Sequence, residues 1–179
     1  MKIKMQNSIK TERLMLRSMS ENDEKNALDL LTNEQIAKTF MLPIFQEKKD
    51  AIPLFERLKT LSLSDERFVY GIYFQDELIG FLNDVGMTEN SVELGYCLHP
   101  KYHNQGIMTE VLKEAIKALF SLGLEKVKAG AFEGNTASMR VMEKCGMART
   151  GETEMIEYRG ENKRCICYEI VNAGDKNDI

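Results

Sequence analysis

The residues best placed to do chemistry lie between His99 and Thr109. A strand-like run ends there, a short loop carries Gly106, and a long amphipathic helix begins at once. The first turn of a helix presents unpaired N–H groups and the positive end of the helix dipole. A glycine just before it lets a ligand's phosphate or backbone come close. Together these features describe an anion site, with pyrophosphate as the natural occupant. A plain turn is the competing reading of the same residues. A second feature is Glu133-Gly134-Asn135-Thr136-Ala137-Ser138, between a strand and a short helix. Asn135 suits a helix N-cap. Its amide and the Ser138 hydroxyl one turn later could instead be aimed at a ligand.

Other constellations are weaker. Cys97, His99 and His103 offer sulfur and imidazole to a metal, but their spacing matches no standard zinc pattern, so no metal is expected. Both histidines flank the loop and could act as acid or base. Cys145 precedes Gly146 at a helix end, where the dipole disfavours a thiolate, so packing is its expected role. The 11 methionines are read as core filler. Phe40, Met41, Leu42 and Phe45 could line an acceptor pocket or pack in the core.

The elements that must hold these residues follow from periodicity. Arg13 to Arg17 reads as a strand. A helix is expected from about Glu21 to Leu31, opened by Ser20 and Asp23, and another from about Glu47 to Ser62, restarted at Pro53. Phe68 to Phe74 and Leu78 to Asp84 form a hairpin about Gln75-Asp76-Glu77. Ser91 to His99 follows, with Val92, Leu94, Tyr96 and Leu98 on one face and Glu93, Gly95, Cys97 and His99 on the other. Ile107, Val111, Leu112, Ala115, Ile116, Leu119 and Phe120 make one helical stripe, ending near Gly123. Lys126 to Phe132 is a strand, and Thr136 to Lys144 a helix stopped by Gly146. Ala148 to Tyr158 and Lys163 to Val171 are strands joined near Arg159-Gly160-Glu161. The order predicts an α/β (α+β) domain, a mixed and mostly antiparallel sheet of about seven strands flanked by helices. One domain spans 1–173, with a frayed tail at 174–179.

Composition narrows the function. The chain has 179 residues, a net charge of −4, 43% hydrophobic and 29% charged residues, which suits one globular domain. The mild acidity and the lack of a basic stripe interleaved with aromatics argue against a nucleic-acid partner. No apolar run is long enough to span a membrane. The first ten residues carry three lysines and no apolar stretch, so no signal peptide is expected. Four unevenly spaced cysteines are read as reduced thiols, which places the protein in the cytoplasm.

Several runs, in order and spacing, resemble the GNAT superfamily of acyl-CoA-dependent N-acetyltransferases, closest to the branch of ribosomal-protein N-terminal acetyltransferases. They are Thr11-Glu12-Arg13-Leu14-Met15-Leu16-Arg17, Glu93-Leu94-Gly95-Tyr96-Cys97-Leu98-His99-Pro100, Gly106-Ile107-Met108-Thr109-Glu110, Asn135-Thr136-Ala137-Ser138-Met139-Arg140 and Glu143-Lys144-Cys145-Gly146-Met147. The resemblance covers about Thr11 to Val171. The family's phosphate loop reads Arg/Gln-x-x-Gly-x-Gly/Ala. Here it is His103-Asn104-Gln105-Gly106-Ile107-Met108, with His103, Asn104 and Met108 departing from the pattern.

The resemblance implies a GNAT fold splayed between the fourth and fifth predicted strands, with acetyl-CoA as co-substrate and no metal. Backbone groups of Cys97, Leu98 and His99 would pair with pantetheine. His103 to Thr109, Asn135 and Ser138 would complete the cofactor site. An amine would attack the thioester directly. Glu157, at a position acidic in the ribosomal-protein branch, is the preferred base and Glu93 the other candidate, although either could be an ordinary surface carboxylate. Ser138 would donate a hydrogen bond to the leaving thiolate. The implied acceptor is a peptide N-terminus, as on a ribosomal protein. A small amine such as a polyamine or aminoglycoside, or a non-catalytic acyl-CoA-binding module, are the alternatives. A homodimer through a sheet edge or the last hairpin is compatible with the sequence.

Overall fold

The computed structural model describes residues 7–174. Apart from Gly174, the expected frayed tail lies outside the described residues. One eight-stranded sheet runs in the order β1-β2-β3-β4-β5-β6-β8-β7. Its strands are β1 (Ser8–Lys10), β2 (Met15–Arg17), β3 (Val69–Phe74), β4 (Glu77–Met87), β5 (Ser91–Leu98), β6 (Lys126–Phe132), β7 (Ala148–Tyr158) and β8 (Glu161–Val171). Every neighbouring pair is antiparallel except β5 with β6.

The count is eight rather than seven because β1 is a strand of three residues, too short to show a period. It exists because the Thr11 N–H closes a tight turn onto the Leu14 carbonyl at 3.0 Å. The fourth and fifth predicted strands are therefore β5 and β6.

Among the described residues five α-helices cover the faces: α1 (Glu24–Leu31), α2 (Glu34–Ala37), α3 (Ile52–Ser62), α4 (Ile107–Ser121) and α5 (Thr136–Lys144). The four-residue α2 escapes a periodicity reading; the Asn33 side chain caps it by accepting from Gln35 and Ile36 N–H. Pro53 sits in the first turn of α3, where its missing N–H costs nothing. Each side of the sheet has its own core. One joins Leu16, Ile72, Leu82, Val92, Leu94 and Leu98 to α4 and α5. The other joins Tyr73, Phe81 and Cys97 to α1, α2 and α3. The alternation of β5 thus divides its side chains between two cores. No helix among the described residues is long and apolar enough to cross a membrane.

Candidate active site

Parallel pairing of β5 with β6 begins at Ser91 with Lys126 and stops at Leu94 with Ala129. Beyond that point the strands part, each still held by its outer neighbour. Which backbone groups face the gap follows from alternation. The His99 N–H donates to the Ile79 carbonyl at 2.8 Å, so Gly95, Cys97 and His99 direct their backbone groups at β4. Tyr96 and Leu98 direct theirs into the gap. Of the three backbones expected to be open, that of Leu98 faces the gap, whereas those of Cys97 and His99 are taken up by sheet and turn. On the far wall the Glu133 N–H donates to the Arg164 carbonyl at 2.7 Å, which leaves Gly130 and Phe132 facing the gap.

Both histidines brace the loop. The His99 carbonyl accepts from Tyr102 N–H at 2.9 Å, and its Nδ1 accepts from Lys101 N–H at 3.1 Å. His103 Nε2 lies 2.8 Å from the Leu98 carbonyl; a carbonyl only accepts, so Nε2 carries the proton. Cys97 is buried in the core on the side of α1, α2 and α3.

Asn104 and Gly106 have φ of 58° and 72°. The left-handed Gly106 turns the chain directly into α4 without a side chain over the helix end. Ile107 and Met108 bury their side chains in the core. What they and Thr109 can offer an anion is backbone N–H, so a methionine in place of a small residue does not crowd the outer surface.

Sequence reasoning missed how this helix end is held. Glu110 accepts from the Thr11 hydroxyl at 2.6 Å, the Arg13 N–H at 2.7 Å and Arg13 Nε at 2.7 Å. A second guanidinium nitrogen of Arg13 donates to the Gln105 carbonyl at 3.0 Å. Burial pushes the Glu110 carboxyl up, but the hydrogen bonds from Thr11 and Arg13 and the guanidinium charge outweigh it and hold the pKa below its usual value. The signal was present: Thr11-Glu12-Arg13 and Glu110 stand in two of the runs quoted above, both polar at the edge of an apolar segment.

Tyr96 was also missed, because alternation places it on an apolar face. Its hydroxyl meets that of Ser138 at 2.9 Å. Burial raises its pKa to about 12 despite the Ser138 bond, so it stays a neutral phenol able to donate. Asn135 is the N-cap of α5, its Oδ1 accepting from Ser138 N–H at 3.2 Å. Cap and hydroxyl are thus two parts of one turn.

The two candidate carboxylates lie on opposite faces. Glu93 shares a face with Lys128 across β6 and interacts with Glu154 of β7. Partial burial raises its pKa, the charge of Glu154 adds to that, and Lys128 opposes it. Tyr158 belongs to the same face: its hydroxyl donates to the Ala37 carbonyl at 2.6 Å and its ring stacks on Phe132. Glu157, one residue earlier, points the other way, exposed beside Asn162. Tyr158 also accepts from Leu42 N–H, which pins the Phe40–Leu42 segment over the Glu93 face. There Leu42 is core, Phe40 packs edge-on against Phe81, and Met41 is half exposed.

All four cysteines are free thiols. Burial pushes Cys145 up to about 11, in keeping with a packing role.

A family model described as "Acetyltransferase (GNAT) domain" matches residues 13–148. The uncharacterized N-acetyltransferase YoaA of Bacillus subtilis is 26% identical over 156 residues, covering 84% of this chain and 88% of its own. A GNAT-family acetyltransferase structure from Bacillus anthracis superposes with a TM-score of 0.79 at 22% identity, over 92% of this chain and 98% of that one. RimL, a ribosomal L7/L12 α-N-protein acetyltransferase solved with coenzyme A, gives 0.79 at 19% identity, over 92% and 97%. Parted strands, a helix N-terminus opened by a left-handed glycine and the family match lead to one conclusion: the chain belongs to the GNAT family and is an acetyl-CoA-dependent N-acetyltransferase.

Proposed function

We propose that the protein transfers acetyl from acetyl-CoA to the N-terminal amine of a polypeptide, by direct attack within the gap between β5 and β6. The observation that carries this reading is the end of pairing at Leu94 and Ala129, beyond which β5 runs on to Leu98 and the loop that leads into the N-terminus of α4. Pantetheine amides can pair with the open groups of Tyr96 and Leu98 as a short added strand. The pyrophosphate then reaches the N–H groups of Ile107, Met108 and Thr109, with Asn104, Gln105 and Gly106 forming the turn beneath it. His103 serves the site by holding the Leu98 carbonyl.

The amine nitrogen attacks the thioester carbonyl carbon, and the C–N bond forms. An open backbone N–H of β5 stabilises the oxyanion. The C–S bond then breaks, and the electron pair leaves on sulfur. Tyr96 donates to Ser138, whose hydroxyl donates a hydrogen bond to that thiolate; the serine hydroxyl is too weak an acid to surrender its proton outright. The amine's proton passes to Glu93 rather than Glu157. Glu93 keeps contact with solvent, to which it can return the proton, and partial burial with the charge of Glu154 raises its pKa and so makes it the stronger base. Glu157 lies on the far face of the sheet. The preference for a polypeptide acceptor draws on the likeness to RimL and on the partly apolar Phe40–Leu42 wall.

The test is calorimetry with acetyl-CoA followed by thiol release on a panel of peptides and small amines, spermidine included. Binding followed by turnover of peptides supports the reading. Turnover of spermidine alone moves the acceptor to small amines. Binding without turnover on any amine leaves a binding module, and no binding overturns the site.

A further inference from the structure

Asn83 of β4 stands opposite Gly95 of β5. Its amide nitrogen donates to the Asp84 carbonyl at 3.2 Å. Its Oδ1 is buried and has no hydrogen-bond partner among the described residues. Such an oxygen destabilises a fold unless something it meets in function satisfies it.

Its surroundings suggest what that is. A Cβ added at Gly95 would lie 3.3 Å from Asn83 Oδ1, 3.1 Å from Val85 Cγ2 and 3.4 Å from Phe40 Cε2. Three side chains from two segments, β4 and the stretch around Phe40, thus lean over a residue that has none, and a Cβ there would fit only if they gave way. Gly95 is the residue after the last β5–β6 pair, and Glu93 is its neighbour on the same face. The cluster lies beside the point where the strands part. Val85, which leans over the same glycine, is itself 59% exposed, so this side of the cluster borders solvent.

We propose that Asn83 Oδ1 accepts a hydrogen bond from the incoming amine, whose approach the bare backbone of Gly95 leaves unobstructed. This rests on the acceptor reading above and adds the residues that hold the acceptor. An ammonium carries three N–H donors. One can face Glu93 and another Asn83; Glu93 takes the first proton and returns it to solvent, rotation about the C–N bond turns the lone pair so exposed to the thioester while Asn83 keeps an N–H, and Glu93 takes the second proton once the C–N bond has formed.

The experiment measures steady-state kinetics on peptides beginning with Ser, Ala or Phe, acetyl-CoA binding by calorimetry and unfolding temperature. Asn83→Leu removes the unpartnered oxygen at similar volume. It is expected to leave the unfolding temperature at or above wild type and acetyl-CoA affinity unchanged, while acceptor kcat/KM falls about tenfold or more. Asn83→Asp keeps an oxygen acceptor and is expected to restore most of that loss, which a packing role would not do. Gly95→Ala puts a methyl beside Asn83 Oδ1 and is expected to raise the acceptor KM for every peptide. Acceptor kinetics like wild type in both Asn83→Leu and Gly95→Ala overturn the proposal, as does an activity loss in Asn83→Leu that merely tracks a lowered unfolding temperature. Wild-type protein that turns over none of the peptides overturns the acceptor reading itself, a failure visible before any variant is made.

Discussion

Replacing Glu110 by Ala removes the bracket that ties the first turn of α4 to the β1–β2 turn. Its carboxylate takes three hydrogen bonds of 2.6 to 2.7 Å, from Thr11 and twice from Arg13. Bonds to a charged group are worth about 1.5–3 kcal/mol each when well shielded. The shielding here is uneven. Arg13 is 42% exposed, so its ion pair counts for at most about 1 kcal/mol. Thr11 is buried but retains its bonds with Leu14. The favourable placement of a carboxylate in the first turn of the helix adds about 0.3–1 kcal/mol. The expected total is about 2–3 kcal/mol, or roughly 5–10 °C in Tm for a chain of this size. The pH dependence has a definite sign. The folded-state pKa of Glu110 is held below its ordinary 4.5, so its contribution is fully present above that value and is lost as pH falls through the folded one. The Tm gap between wild type and variant is therefore widest near neutrality and narrows in acid. Acetyl-CoA affinity falls as well, because the N–H groups of α4 lose their fixed orientation. Arg13→Ala is expected to give a smaller loss, and the two losses not to add in the double variant. A gap under about 2 °C at pH 7, or one that does not shrink in acid, refutes the reasoning.

Gly106→Glu places charge and a left-handed non-glycine residue at the mouth of α4; the conformation alone costs about 1–2 kcal/mol. No heat with acetyl-CoA is expected in calorimetry, and retained affinity would remove the phosphate site from this loop. Glu93→Gln is expected to lower kcat by about 100-fold and to abolish the acid limb of the rate profile, while Glu157→Gln changes neither. That limb falls as pH drops through the raised pKa of Glu93. Because ionising Glu93 is harder in the folded state than in the unfolded one, Glu93→Gln is also expected to leave Tm at neutral pH equal or higher; the reverse pattern between the two variants transfers the base to Glu157. Asn135→Ala removes a helix cap and is expected to lower Tm by roughly 2–4 °C, for about 1 kcal/mol. Turnover measured well below the transition should change little, and a large loss there would give Asn135 a ligand contact of its own.

Elements with a long period were legible before any coordinates. The stripe from Ile107 to Leu119 and the alternation of Ser91 to Leu98 each repeat often enough to average out local exceptions. Segments of three or four residues, such as β1 and α2, carry no period; they exist because a turn or a cap at their edge closes on them.

The loop and the caps were readable because the chemistry of Gly106, Asn135 and Gly146 acts within a few residues of chain. Side-chain type also foretold that Tyr96 would sit on an inward face, but not that its hydroxyl would find Ser138. Three features depend on segments brought together from far apart in the chain. The bracket of Thr11 and Arg13 on Glu110 spans almost a hundred residues. Which backbone groups face the gap depends on which neighbour each strand keeps: the bond from His99 N–H to Ile79 O turns Cys97 and His99 toward β4, and Tyr96 and Leu98 toward the gap. The separation of Glu93 from Glu157 depends on the face each strand turns to its helices, which only the assembled sheet settles. Local sequence sets backbone preference over a turn or two, whereas the partner of a side chain or an open peptide group is chosen by packing between distant elements.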